Sequence, residues 1–264
     1  MLSAETYSTI TIDRHEDGVI LATIDRPERL NAVDSVLHSE MARLPREADA
    51  DPNVKVLVIT GAGKHFCVGA DMKESPAPDL SPGSAMMLES TQIIEHLLSC
   101  ETPIISVVRG YALGLGANFA LLADVVFAGE SAVFADTHVN IGVGAGDGGQ
   151  LIWPALIGVN RAKYYLMSGD KLPAREAERI GLVNFVLEDD VVLAEALALA
   201  RRWASGPIQA IKASKAGINA YLRLLNSFVM PVGLMAEQLT LESDDRKEAK
   251  AAFLEKRTPV YTGH

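Results

Sequence analysis

The chain is poor in cysteine. Only Cys67 and Cys100 occur in 264 residues, and no CxxC pair exists, which excludes a zinc knuckle or a redox dithiol on spacing. Two buried, reduced thiols fit best, as in a cytoplasmic protein. Positive charge is also scarce: 24 Lys and Arg against 34 Asp and Glu give a formal net charge of −10. Such a surface repels phosphate backbones, so no nucleic-acid partner is expected. Any anionic ligand must be met by local cations or backbone dipoles. The opening residues, MLSAETYSTITIDRHEDG, carry no basic stretch followed by an apolar one, so no leader is expected. No apolar run approaches the roughly 20 residues of a membrane helix. The expectation is a cytoplasmic protein with no membrane contact.

What is present suits a packed core. Hydrophobic residues make up 48% and charged residues 22%, as in one large α/β domain or one domain with a small appendage. Apolar and polar residues alternate from Thr9, turn at Glu16-Asp17-Gly18, and resume at Val19–Ile24, which predicts a β-hairpin. Val33, Leu37, Met41 and Leu44 recur at helical spacing, and Pro45 should end or kink that helix. Strands are expected at 55–60, 104–108 and 125–128, and a proline-rich loop at 75–83. Met87, Thr91, Ile94 and Leu98 share a helix face. After Gly158 the chain reads as helical: 161–167, 174–180, 192–203, 208–225 and a long final segment to Glu255.

Two glycine-rich turns leave buried strands. One is Phe66-Cys67-Val68-Gly69-Ala70-Asp71-Met72, the other Gly114-Leu115-Gly116. Reactions at a thioester carbonyl, or at its α-carbon, build negative charge on oxygen, and preorganised N–H donors stabilise it most. A sharp turn entering a helix leaves such donors free. Each turn can supply one, and glycines that merely turn the chain remain the simpler reading of either turn alone. A dinucleotide fingerprint fails, because Gly114–Phe119 lacks the third small residue in its place.

Jointly, the motifs resemble the crotonase, or enoyl-CoA hydratase/isomerase, superfamily. Arg26-Pro27 with Asn31-Ala32, FCVGAD at 66–71, GYALGLG at 110–116, LPAREAERIGLV at 172–183 and FLEKR with Pro259 match its pattern in order. The resemblance implies an α/β fold: a spiral of ββα turns over residues 1–200 with an oxyanion hole. A C-terminal helical region, 201–264, would cover the site and the oligomer interface. It implies a homotrimer or a dimer of trimers. The substrate would be an acyl-CoA, with coenzyme A part of the substrate and no cofactor or metal besides. The Ala70 and Leu115 N–H groups would hold the oxyanion. Leu30, Ala32, Ala70, Asp71, Met72 and Gly116 would contact the acyl-CoA.

The sequence departs from the family where protons move. Hydratases of this family use two glutamates, and those positions here hold Asn118 and His138. Asn118 cannot exchange a proton near neutral pH, but it can orient water or a carbonyl. His138 can serve as acid or base. A new acid, Asp147, lies in Gly146-Asp147-Gly148-Gly149. His138 and Asp147 either pair, with the carboxylate fixing the imidazole, or cap local backbone; Asp136 is a rival partner. His138…Gly146-Asp147-Gly and Ile152-Trp153-Pro154 resemble the branch that cleaves β-diketones by retro-Claisen hydrolysis. That branch's second histidine is missing from 115–118. Three functions are therefore carried forward: an enoyl-CoA hydratase or isomerase acting through an enolate, a C–C hydrolase of a β-diketone, and a non-catalytic acyl-CoA-binding protein. Elsewhere, His65 and His96 read as surface residues and Cys67 as packing. Lys73, Lys247, Lys250 and Lys256 read as solvated charges. In the family, some basic residues near the last helix meet CoA phosphates.

Overall fold

The alternation at the N-terminus folds as expected. In the computed structural model, which describes residues 2–74 and 84–264, β1 (Ile10–Arg14) and β2 (Val19–Ile24) pair antiparallel, with Ile12 opposite Ala22. The other strands are β3 (Val56–Gly61), β4 (Ile104–Val108), β5 (Tyr111–Leu113), β6 (Val125–Gly129), β7 (Val133–Ala135), β8 (Leu172–Pro173) and β9 (Phe185–Leu187). The helices are α1 (Ser35–Ala50), α2 (Ala85–Ser99), α3 (Leu115–Leu121), α4 (Gly149–Ile157), α5 (Val159–Ser168), α6 (Ala174–Ile180), α7 (Val192–Ala204), α8 (Ile208–Leu241) and α9 (Asp244–Glu255).

The strands are shared between two sheets. The larger runs β1-β2-β3-β4-β6-β9, parallel from β2 onward; the smaller runs β5-β7-β8. One strand in the large sheet, one in the small sheet and a helix make each turn of a spiral: β4, β5, α3, then β6, β7, α4. In the preceding turn Cys67 replaces a full second strand, making an isolated parallel bridge to Ala112 of β5 before α2. This stacking sets the two glycine-rich turns side by side. Gly116 is needed there, since a Cβ would sit 2.6 Å from the Cys67 carbonyl oxygen.

Strand β3 is buried on both faces, as apolar runs in parallel sheets are. Its Val56 and Val58 pack with Val192, Ala196 and Ala200 of α7. Leu57 and Ile59 point the other way, into the main core with Leu37 and Met41 of α1 and Leu97 of α2. The period of two thus divides one strand between two cores.

Pro45 does less than the sequence predicts, and a second helix runs past its expected end. α1 runs through Pro45 to Ala50, with Leu37, Met41, Leu44 and Ala48 buried. Burial of that face outweighs the backbone bond that Pro45 cannot make to Met41, and α2 braces the same stretch, with His96 Nδ1 at 2.5 Å from the Ala42 carbonyl oxygen. His96 is therefore a strut between helices, not a solvated side chain. Likewise α8 does not stop near Leu225: it continues through Pro231 to Leu241. α8 is long and apolar enough to cross a membrane by length and composition alone. It is nevertheless built into the fold, packing on α2 and α4 and pairing Lys215 with Asp124 at 2.8 Å. The loop expected at 75–83 lies outside the described residues.

Candidate active site

The two turns bring backbone donors to one cavity. The Val33 N–H donates to the Gly69 oxygen, and the Asp71 N–H donates to the Val33 oxygen, both at 2.8 Å. In such a bridge the intervening N–H, that of Ala70, points away from Val33. Leu115 opens α3, where N–H groups have no intrahelical partner. Among the described residues no hydrogen bond uses either N–H, and both residues line a cavity of about 470 Å³.

A charged cluster forms part of the same wall. His138 Nδ1 lies 2.6 Å from Asp136 Oδ1, and its Nε2 lies 3.1 Å from Asp147 Oδ2. The two candidate acids are therefore not rivals; each takes one ring nitrogen. Burial opposes a charge on His138, but the charges of Asp147 and Asp136 outweigh it and push its pKa well above the usual histidine value. Asp136 is desolvated too, yet His138 holds its carboxyl below the usual range. Gly149 makes room for it, since a Cβ there would meet Asp136 Oδ2 at 2.3 Å. Asp147 caps nothing: α4 starts from Gly148 with no side-chain cap.

Asn118 lies behind this cluster, fully buried and off the cavity wall. Its amide donates to Asp147 Oδ1 at 2.8 Å and to Asp136 Oδ2 at 3.2 Å, while its oxygen accepts from Trp153 Nε1 at 3.1 Å. It orients carboxylates, not water or substrate. A glutamate at this position would add a third buried negative charge beside two others.

Sequence reasoning missed a further acid. Glu237 of α8 lines the cavity, and its Oε2 is buried with no hydrogen-bond partner among the described residues. Desolvation first, and then the charge of Asp147, push its carboxyl up to about 8. It lies 90 residues beyond Asp147 in the chain. The signal was a lone acid within the apolar run from Phe228 to Leu241.

The trio Asp136, His138 and Asp147 has its ligating atoms within 4.8 Å of one another. A doubly protonated imidazole has no lone pair, so a cation would first have to displace a proton held by two carboxylates. Arg246, Lys247 and Lys250 of α9 supply positive charge to the cavity wall. Ala70, Asp71 and Met72 also line it, whereas Leu30, Ala32 and Gly116 lie off it. Asp71 is tied to Arg29 at 2.7 Å. His65 is partly exposed, as expected, but is also anchored: its Nδ1 accepts the Tyr111 N–H at 3.1 Å, and its ring stacks on Tyr111 at 4.8 Å. Cys67 is buried packing, its thiol pushed up to about 12 by desolvation.

Known proteins place this architecture. Residues 14–264 match the family model described as enoyl-CoA hydratase/isomerase. The 2,3-dehydroadipyl-CoA hydratase of Escherichia coli (strain K12) is 35% identical over 262 residues, covering 97% of this chain and 99% of that protein. The 1,2-epoxyphenylacetyl-CoA isomerase of the same organism is 32% identical, covering 94% and 96%. Among solved structures, an enoyl-CoA hydratase from Mycobacterium avium subsp. paratuberculosis superposes with a TM-score of 0.88 at 31% identity, covering 97% and 99%. The chain belongs to the enoyl-CoA hydratase/isomerase family of the crotonase superfamily.

Proposed function

We propose that the protein acts on an acyl-CoA thioester through an enolate, as a lyase of the enoyl-CoA hydratase kind or as an isomerase, with its acid/base pair relocated. The observation that carries this is the proximity of Glu237 to the His138 cluster in the cavity of Ala70 and Leu115. The two backbone N–H groups hold the thioester oxygen as it becomes an enolate. Two carboxyls in unlike surroundings can divide the acid and base roles. Asp147, held by Asn118 and His138, takes a proton from water as the water oxygen bonds to the β-carbon. Glu237, still protonated near neutrality, gives its proton to the α-carbon. The sum is one water added across the double bond, and proton exchange with solvent resets both groups. Asn118 and His138 are positioning residues, and His138 offsets the charge of Asp136 and Asp147.

Arg246, Lys247 and Lys250 then meet the phosphates of coenzyme A, with no cofactor beyond the substrate itself. Ile218, Phe228 and Leu239 lie exposed along α8, which suits a helical region 201–264 that joins copies into a homotrimer or a dimer of trimers. Sedimentation would read that mass directly. The test of the reaction is loss of enone absorbance with crotonyl-CoA; its absence at high enzyme concentration would contradict hydration.

The 3.1 Å His138–Asp147 contact favours a second reading, retro-Claisen hydrolysis of a β-diketone. The same carboxylate would activate water, and the N–H pair would hold the enolate that leaves. Cleavage of a cyclic β-diketone with no crotonyl-CoA turnover would select it. Acyl-CoA binding with no turnover across a panel would instead mark a non-catalytic protein.

A further inference from the structure

The cavity contains a second polar group of residues that the chemistry above leaves unused. His38 of α1 has only 6% of its side chain exposed, yet it lines the cavity. Its Nδ1 lies 2.9 Å from Glu89 Oε2, and its Nε2 lies 3.3 Å from Ser90 Oγ. Both partners come from the first half of α2, and Ser90 also lines the cavity. The hydrogen bond from His38 keeps the Glu89 carboxyl below its usual range. The ionised Glu89 therefore fixes a proton on Nδ1 and aims Nε2 at Ser90. Around them the wall is apolar, with Val33, Val68, Met86 and Met87.

This placement is costly unless it is used. A hydroxyl and an imidazole nitrogen facing an apolar cavity lose water when a hydrocarbon enters. The Ser90 hydroxyl donates to only one acceptor at a time. The Met86 carbonyl oxygen, 3.1 Å away, and His38 Nε2 compete for that proton. When the hydroxyl turns to Met86, whose oxygen the α2 backbone already serves, His38 Nε2 is left without a donor among the described residues, and Oγ keeps a lone pair in either arrangement. A ligand hydroxyl fits this deficit, since it can both donate and accept. A carboxylate does not, because Glu89 stands behind His38 and Glu74 lines the same cavity.

We propose that Ser90, backed by His38 and Glu89, is a specificity site that selects acyl chains carrying a neutral hydroxyl group away from the thioester. The proposal rests on the acyl-CoA reading of the cavity and extends it to the substrate class. Ser90 touches the ligand; Glu89 acts through His38 and is a positioning residue. Plain and hydroxylated chains then differ by a hydrogen bond made inside the cavity and not replaced by water.

The test uses saturated ligands, so that binding is measured without turnover. Calorimetry compares hexanoyl-CoA with 4-, 5- and 6-hydroxyhexanoyl-CoA on the full chain. At least one hydroxylated ligand should bind at least about tenfold more tightly than hexanoyl-CoA. Ser90→Ala should erase that ratio while leaving hexanoyl-CoA affinity the same or higher. His38→Gln should reduce the ratio too, with thermal melting to confirm that each variant is folded. Equal affinities for plain and hydroxylated chains in the unaltered protein would overturn the selectivity alone. A ratio retained in Ser90→Ala would overturn the role of Ser90. If none of the four ligands binds, the acyl-CoA reading falls, and this proposal falls with it.

Discussion

Two buried histidines face the same cavity, and their surroundings differ by one charge. His138 lies between two carboxylates, Asp136 and Asp147. His38 has one carboxylate, Glu89, and one neutral hydroxyl, Ser90. The first arrangement traps a proton on the ring, so the histidine that resembles a catalytic base is a fixed cation. In the proposed reaction the proton chemistry moves to the carboxyls beside it. The second arrangement leaves a nitrogen turned to a hydroxyl, which suits recognition of an uncharged group. A histidine is thus read from the number of charges against it, not from its place in a motif.

Breaking the first cluster should have the largest effect. Asp147→Asn removes the proposed base while keeping its shape, and kcat should fall by roughly 10³-fold, within the range for a lost general base. Steady-state kinetics on whichever ligand the protein turns over checks this. Glu237→Gln should cost about 10²-fold in kcat. In the unaltered protein kcat/KM should decline above about pH 8 as Glu237 ionises, and in the variant that alkaline limb should disappear. Asn118→Glu should lower stability by about 2–4 kcal/mol, since it buries a third carboxylate and breaks three hydrogen bonds. Thermal or urea unfolding reads it.

A smaller effect is linkage to pH. Glu237 is protonated to about pH 8 in the folded chain but only to about 4.3 when unfolded. The folded state therefore binds more protons between those values, and stability falls as pH rises through that window. His138, also raised, acts in the same direction: its contribution is complete below about pH 6.5 and is lost as pH climbs toward its raised value. Glu237→Gln should flatten the slope of unfolding free energy between about pH 4.3 and 8. The smallest effect on stability belongs to Ser90→Ala, within about 0.5 kcal/mol, although its effect on ligand choice is large.

Local rules made much of the molecule legible. The hairpin, the buried strands and both glycine-rich turns follow from alternation, apolar runs and glycine placement. His138 and Asp147 were identified as a possible pair because each departs from an expected pattern. What stayed hidden depends on distant packing. Pro45 and Pro231 should break helices by their own chemistry, yet buried faces of α1 and α8 override them. Asp136 and Asp147 looked like alternatives because sequence spacing does not show that an imidazole has carboxylates on both sides. Glu237 was invisible as a partner, because only the extension of α8 past Leu225 carries it back over the Gly142–Gly149 loop. The anchoring of His65 and His96 was hidden because their contacts, at Tyr111 and Ala42, lie on other elements.

The central claim is that the cavity stabilises an enolate and that Glu237 moves its α-proton. A saturated acyl-CoA such as butyryl-CoA in D₂O tests this whatever the overall reaction. Deuterium should enter the α-carbon alone. The rate should rise through about pH 8 as Glu237 loses its proton, and exchange should vanish in Glu237→Gln. Absence of α-exchange at saturating ligand, or exchange that Glu237→Gln leaves untouched, would contradict the account.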